Sequence, residues 1–130
     1  MKKIISTILV CVLLLGCVFV LASCGTPNSD PAEAKASLEK KGYTVTLKEN
    51  YAGCAATIYA EKNNVNKKQF DSIEIFYYKD EAAANEAWKT LEAQFEAEAG
   101  PKAGTDSEIV YGIEGKVIYK GTADAVKASK

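Results

Sequence analysis

The chain has 130 residues, of which 16 are cationic, 17 are acidic and none is histidine, so its formal net charge is −1. A nearly neutral chain lacks the positive charge that non-specific binding to nucleic acid or anionic lipid requires. All the cationic residues are lysines. The chain therefore lacks the planar guanidinium suited to phosphate and the imidazole that most often serves as general base or metal ligand.

The N-terminal segment has the layout of an export signal. Lys2 and Lys3 precede an apolar run over residues 4–22, and a polar stretch begins just after Cys24. A cationic head followed by an apolar middle and small residues is typical of a signal peptide, which is excluded from fold reasoning. We therefore assign residues 1–23 to a signal peptide.

The end of this run, Leu21-Ala22-Ser23-Cys24, resembles the lipobox of bacterial lipoproteins, in which an aliphatic residue and two small residues precede a cysteine. The resemblance implies a diacylglyceryl group on the Cys24 thiol and cleavage by a signal peptidase between Ser23 and Cys24. It also implies that the new amino group can receive a fatty acid such as palmitate. The expected location is the cell envelope, anchored by lipid to the membrane and facing outside the cytoplasm. Beyond the lipobox, the resemblance to small envelope lipoproteins of unassigned function is only general.

Two other interpretations of this segment stay open. The apolar run, at about 20 residues, is long enough to remain as a membrane-spanning helix. Cys17 ends a second motif of the same kind, but cleavage there would leave a strongly apolar mature N-terminus. Cys24 is therefore the preferred site of lipidation.

Cleavage before Cys24 defines the expected domains. We assign residues 24–29 to a lipidated tether and residues 30–130 to a single domain, which is long enough to bury a core. The signal peptide contains two of the cationic residues and none of the acidic ones, so the mature net charge is −3. Lipid rather than charge must then hold the protein to the membrane. Cys54 is left without a partner for a disulfide.

The first half of the domain predicts one helix and three strands. Asp30 or Ser29 can cap a helix that begins with Pro31 and ends at Gly42. Strict alternation over residues 43–48 predicts a half-buried strand, and residues 54–62 and 69–78 predict two more. The third strand is apolar on both faces near its end, which indicates a central position in the sheet.

The second half predicts a long helix, two short strands and a final helix. Asp80 caps the helix over residues 81–99, whose apolar stripe is Ala84, Trp88, Leu91 and Phe95. Strands follow at 109–111 and 116–120, separated by a turn at 112–115, and Thr122 can cap the last helix. These elements predict an α+β fold: a two-layer domain with a mostly antiparallel sheet of about five strands and helices on one face, in the order α-β-β-β-α-β-β-α.

The candidate site residues are few. Tyr51, Tyr59, Tyr78 and Tyr111 lie among polar neighbours and could form a contact surface on the sheet face away from Trp88 or in the turn that contains Tyr51. The simpler explanation is that strands favour aromatic residues. Cys54 has no histidine to activate it, so a buried, unreactive thiol is expected. We identify no catalytic residue, no metal ligand and no cofactor other than the covalent lipid.

Three functions are therefore considered. The preferred one is a membrane-anchored binding or interaction module for a protein or glycan partner, with no nucleic acid involved. The alternative is an inhibitor or immunity-like protein that blocks a target enzyme through an exposed hairpin, either Asn63–Gln69 or Glu49–Gly53. An enzyme is disfavoured because the parts of a catalytic site are not recognisable.

Overall fold

The computed structural model describes residues 25–66, 69–99 and 109–130. The predicted signal peptide, the Ser23–Cys24 bond and Cys24 itself lie outside the described residues. In chain order the elements are α1 (Pro31–Lys40), β1 (Thr44–Tyr51), β2 (Cys54–Asn64), β3 (Gln69–Tyr77), α2 (Glu81–Ala99), β4 (Ile109–Glu114), β5 (Val117–Thr122) and α3 (Ala123–Ala128).

The five strands form one sheet in the order β1-β2-β3-β5-β4, and each neighbouring pair is antiparallel. The predicted α+β class, the number and direction of the strands and the order of the elements are confirmed. β3 occupies the centre of the sheet, as its two apolar faces predicted. Its side chains at odd positions, Ile73, Ile75 and Tyr77, are all buried.

One face of the sheet is covered by the two short helices. Ala34 and Leu38 of α1 and Ala125 and Val126 of α3 are fully buried against it. Alternate residues of the strands belong to the same core cluster. They include Ile58, Ala60, Ile73, Ile75, Val117 and Tyr119. This layer is the main hydrophobic core.

The long helix α2 lies on the opposite face, over β4 and β5. Tyr119 belongs to the main core, so its neighbour Lys120 points to the other side of the sheet. There the Lys120 ammonium pairs with Glu98 of α2 at 2.5 Å and lies 5.1 Å from the centre of the Phe95 ring. Over β1–β3 the domain therefore has the expected two layers, one of helices and one of strands. Over β4 and β5, α2 adds a helix on the opposite face of the sheet.

The placement of α2 differs from the prediction that all helices share one face, and the reason lies in β5. Its consecutive residues Val117, Ile118 and Tyr119 are all buried. Because successive side chains of a strand point to opposite faces, such a strand needs cover on both sides. α2 supplies that cover on the Ile118 side.

Two turns also differ from prediction. β1 continues to Tyr51, and the turn is reduced to Ala52 and Gly53, both with positive φ. Gly112 lies within β4 instead of starting a turn, because its missing side chain makes room for Tyr119: a Cβ there would lie 2.8 Å from the Tyr119 hydroxyl. The turn falls at Gly115, where φ is +58°.

The helix caps are partly as expected. The Asp30 carboxylate accepts a hydrogen bond from the Ala32 amide at 2.8 Å, and Asp80 accepts one from Ala83 at 2.8 Å. Thr122 is the residue directly before α3, but its hydroxyl makes no hydrogen bond that caps the helix. Thr122 is therefore in the predicted N-cap position, but the hydrogen bond through which its side chain would cap the helix is absent.

Candidate functional site

The side of β1–β3 that faces away from α1 and α3 is not covered by a described helix. We call it the open face. Strand register arranges its side chains in rows across the sheet. Two of these rows are Thr46–Tyr59–Glu74 and Lys48–Thr57–Phe76. The strict alternation of these strands puts polar and aromatic residues here and leaves the small and branched apolar residues for the core.

A shallow groove of about 350 Å³ runs along the open face. Tyr51 and Tyr59 line it and expose 52% and 44% of their surfaces. Phe76 adds a further apolar side chain, and Thr46 and Thr57 bring hydroxyl groups. The groove therefore combines exposed rings with hydrogen-bonding groups.

The charges around the groove are held by partners. The Lys48 ammonium lies 4.4 Å from the centre of the Tyr51 ring. The Tyr59 hydroxyl donates a hydrogen bond of 3.0 Å to Glu61, and this bond raises the pKa of Tyr59. These contacts keep both rings in place and keep the Tyr59 phenol protonated.

A second depression, of about 470 Å³, continues the groove toward α2 and shares Tyr59 and Glu74 with it. At this end Lys120 lies between two carboxylates, 3.7 Å from Glu74 and 2.5 Å from Glu98. The hydrogen bond from Lys120 lowers the pKa of Glu98. These ion pairs of Lys120 with Glu74 and Glu98 hold α2 against the sheet. The three side chains form one wall of the site.

The other two predicted tyrosines lie elsewhere. Tyr111 is half-buried, with its ring 6.3 Å from Trp88 and 6.1 Å from Phe95. Tyr78 is half-buried, and burial, followed by the nearby Cys54 thiol, raises its pKa to about 12. Of the four tyrosines, only Tyr51 and Tyr59 share the groove.

The groove contains residues that sequence reasoning missed. The sequence analysis did not include Phe76, Thr57 and Glu74 among the site residues. Strand alternation and pairing nevertheless place them on the same face of the sheet as Tyr59. The expected face was also different. The groove lies on the same sheet face as Trp88, because the face away from Trp88 is occupied by α1 and α3.

Cys54 is 4% exposed, which confirms the predicted burial of this thiol. Burial raises its pKa, and a hydrogen bond from Tyr78 only partly offsets the effect. A thiol with a raised pKa has little thiolate at neutral pH and is a poor nucleophile.

The residues that follow the predicted lipidation site are attached to the domain. Pro27 is buried, the Asn28 amide donates a hydrogen bond of 2.9 Å to the Ser129 carbonyl, and the Tyr77 hydroxyl donates one of 2.8 Å to the Asn28 carbonyl. We call Pro27–Asn28 the docked segment. A domain boundary at residue 30 stays a prediction, but these contacts add the docked segment to the folded part and shorten the free tether.

A polar pocket of about 300 Å³ holds the buried carboxylate of Asp71 together with Asp124, Tyr43 and Lys62. Burial, with the nearby charges of Asp71 and Asp124, raises the pKa of Tyr43 to about 12. The Lys62 ammonium donates a hydrogen bond of 2.7 Å to the Lys41 carbonyl. The Tyr43 phenol therefore stays protonated at neutral pH, which makes it unsuited to act as a base.

Within residues 25–66, 69–99 and 109–130, no cluster of three or more His, Cys, Asp or Glu side chains is arranged to bind a metal ion. No helix in the same part of the chain is long and apolar enough to cross a membrane. Comparison with protein-family models, curated proteins and solved structures finds no match to this chain.

Proposed function

We propose that this protein is a lipid-anchored binding module on the outer side of the cell membrane, and that the open face is its contact surface. The observation that carries the proposal is the groove lined by the exposed rings of Tyr51 and Tyr59 together with hydroxyl and charged groups. Exposed tyrosines give a large contact area at a low cost in conformational entropy. The anchor is proposed from the lipobox that ends at Cys24.

The docked segment supports an orientation for such an anchored domain. Only Gly25 and Thr26 separate Cys24 from Pro27, so residues 24–26 span at most about 10 Å. The docked segment binds Tyr77 at the end of β3, and the turn after Tyr51 lies at the same end of the sheet because Tyr77 pairs with Ala56. This end would face the bilayer and leave the open face accessible from the side.

The anchor is tested by metabolic labelling with an alkyne analogue of palmitate in a bacterial host. We expect label and membrane retention in the wild type and their loss in Cys24→Ala. Cys17→Ala is the matched control, because it removes the second lipobox cysteine, and it should label normally. Unchanged label and membrane retention in Cys24→Ala would refute the anchor.

The contact surface is tested by a photo-crosslinking amino acid placed at Thr57 on the open face. The same amino acid at Glu39, an exposed residue of α1, is the control. We expect light-dependent adducts in cells from position 57 and not from position 39. Adducts from neither position would contradict the assignment of the open face.

A second candidate, the inhibitor-like protein, is favoured by one observation. Val65 and Phe70 expose 77% and 63% of their surfaces at the end of the sheet opposite the docked segment. Val65 lies within the predicted hairpin Asn63–Gln69 and Phe70 directly follows it; residues 67 and 68 of this hairpin lie outside the described residues. A crosslink to a single protein from position 65, without one from position 57, would favour this function over the first.

A further inference from the structure

We infer that the groove binds a neutral glycan chain with β-linked, equatorial sugar rings. The inference rests on the proposed function and names the ligand of the same surface. It combines four properties of the described residues: the exposed rings, the balance of charge, the pairing of the backbone hydrogen bonds and the continuity of the groove across the strands.

The rings provide flat apolar surfaces that are framed by polar groups. Tyr51 and Tyr59 are about half exposed, and Phe76 lies between Thr57 and the α2 side of the groove. A β-linked pyranose presents a flat face of axial C–H groups and a rim of hydroxyls. The face can stack on an aromatic ring, and the rim can bond to Thr46, Thr57 and Glu74, which fits the pattern of apolar contact with a few polar groups that fix orientation.

The charge of the groove favours a neutral ligand. Two ammonium groups, Lys48 and Lys120, lie at its two ends, and two carboxylates, Glu74 and Glu98, offset them. Lys120 is already paired with both carboxylates. An anionic chain would meet repulsion from these carboxylates, and a cationic one would have to displace Lys120 from them at a cost in lost ion pairs.

The backbone of the groove floor argues against an added peptide strand. β2 is paired with β1 on one side and with β3 on the other, and β3 is paired with β5. Addition of a strand requires a free sheet edge. The edge strand β1 has one only on its outer side, away from β2, and not over the floor of the groove. Recognition here must use side chains, as it does for a sugar chain lying across the strands.

The groove is also continuous in the direction that a chain ligand needs. The row Thr46–Tyr59–Glu74 extends by strand pairing to Lys120, and the two depressions share Tyr59 and Glu74. Neighbouring strands are about 4.8 Å apart, so the four residues of this row span about 14 Å across the sheet. This length suits several sugar units better than a single one.

The test is binding of cellohexaose and chitohexaose to the intact lipoprotein, purified in a zwitterionic detergent that has no sugar headgroup. Affinity is measured by calorimetry, and hexagalacturonate is the anionic comparison. We expect at least one of the two neutral chains to bind more tightly than the anionic one. Tyr59→Ala should weaken this binding by about 2- to 10-fold, and Tyr51→Ala/Tyr59→Ala should weaken it further.

Phe70→Ala is the matched control, because Phe70 is an exposed aromatic residue of β3 outside the groove. The affinity of this variant for the neutral chain should equal that of the wild type. Failure of both neutral chains to bind would overturn the inference, as would equal losses in Phe70→Ala and Tyr59→Ala. If neither chain binds but position 57 crosslinks to a protein, the glycan is wrong and the binding module stands. If position 57 gives no adduct either, both proposals fail.

Discussion

The hydroxyl of Tyr77 and the carbonyl of Asn28 are joined by a hydrogen bond of 2.8 Å that attaches the start of the folded chain to the central strand of the sheet. Tyr77 is 2% exposed, and burial raises its pKa well above the ordinary value. The bond links the residues nearest the proposed lipid anchor to the core of the domain. The position of the docked segment therefore determines which end of the sheet lies nearest the proposed anchor.

The Tyr77–Asn28 bond gives the first prediction. Tyr77→Phe keeps the ring and removes the donor, so we expect the free energy of unfolding to fall by about 0.5–1.5 kcal/mol. Urea unfolding followed by circular dichroism measures the change. Tyr51→Phe, which alters an exposed ring, is the control and should leave the unfolding free energy unchanged. Equal stability of Tyr77→Phe and wild type would show that this hydrogen bond does not contribute to the stability of the fold.

The second prediction concerns the close approach of β5 to β3. A Cβ at Gly121 would lie 2.6 Å from the Ser72 carbonyl oxygen and 2.8 Å from the Ile73 Cα. Because both are backbone atoms of a paired strand, they cannot move aside, and we expect Gly121→Ala to destabilise the protein by about 1–3 kcal/mol or more. Gly25→Ala, which meets no atom within 4 Å, is the matched control in the same urea titration. A wild-type unfolding midpoint for Gly121→Ala would contradict the register between β3 and β5.

The third prediction is a pH dependence that arises from the bond between Lys120 and Glu98. This bond lowers the pKa of Glu98 below its ordinary value of 4.5 in the folded protein. A carboxyl group with a lowered folded pKa stabilises the protein above the unfolded pKa, and this contribution disappears as the pH falls through the folded pKa. We therefore expect wild type to be more stable than Glu98→Gln at pH 7, and the difference to narrow below about pH 4.5.

Unfolding midpoints of the two proteins from pH 7 to pH 3 measure this effect. Glu92→Gln changes an exposed carboxylate on the same helix and serves as the control. A difference between wild type and Glu98→Gln that stays constant over this range would indicate that the ion pair is not its cause.

The fourth prediction concerns Cys54. Because burial both shields this thiol and raises its pKa, we expect iodoacetamide at pH 8 to modify it at least about ten times more slowly in the native protein than in urea. Mass spectrometry of the peptide that contains Cys54 gives the two rates. Rapid modification of the native protein would mean that the end of the sheet near Tyr51 opens readily.

The sequence alone determined much of the local structure. The apolar stripe and the Asp80 cap predicted the bounds of α2, Glu81–Ala99, and the two apolar faces of β3 predicted its central position. These features are local, because helix periodicity, side-chain caps and strand alternation depend on residues close together in the chain. For the same reason the burial of Cys54 followed from its position on the Ile58 side of β2.

The tertiary structure alone decided the site. Alternation shows that a strand has two faces, but it does not show which helix covers which face, so the position of α2 beside the groove could not be predicted. The groove depends on pairings between Tyr59 and Glu74 and between Glu74 and Lys120, residues that are distant in the chain. The docked segment depends likewise on contacts of Asn28 with Tyr77 and Ser129. Such contacts form only when separate elements pack together, and no local pattern in the sequence specifies them.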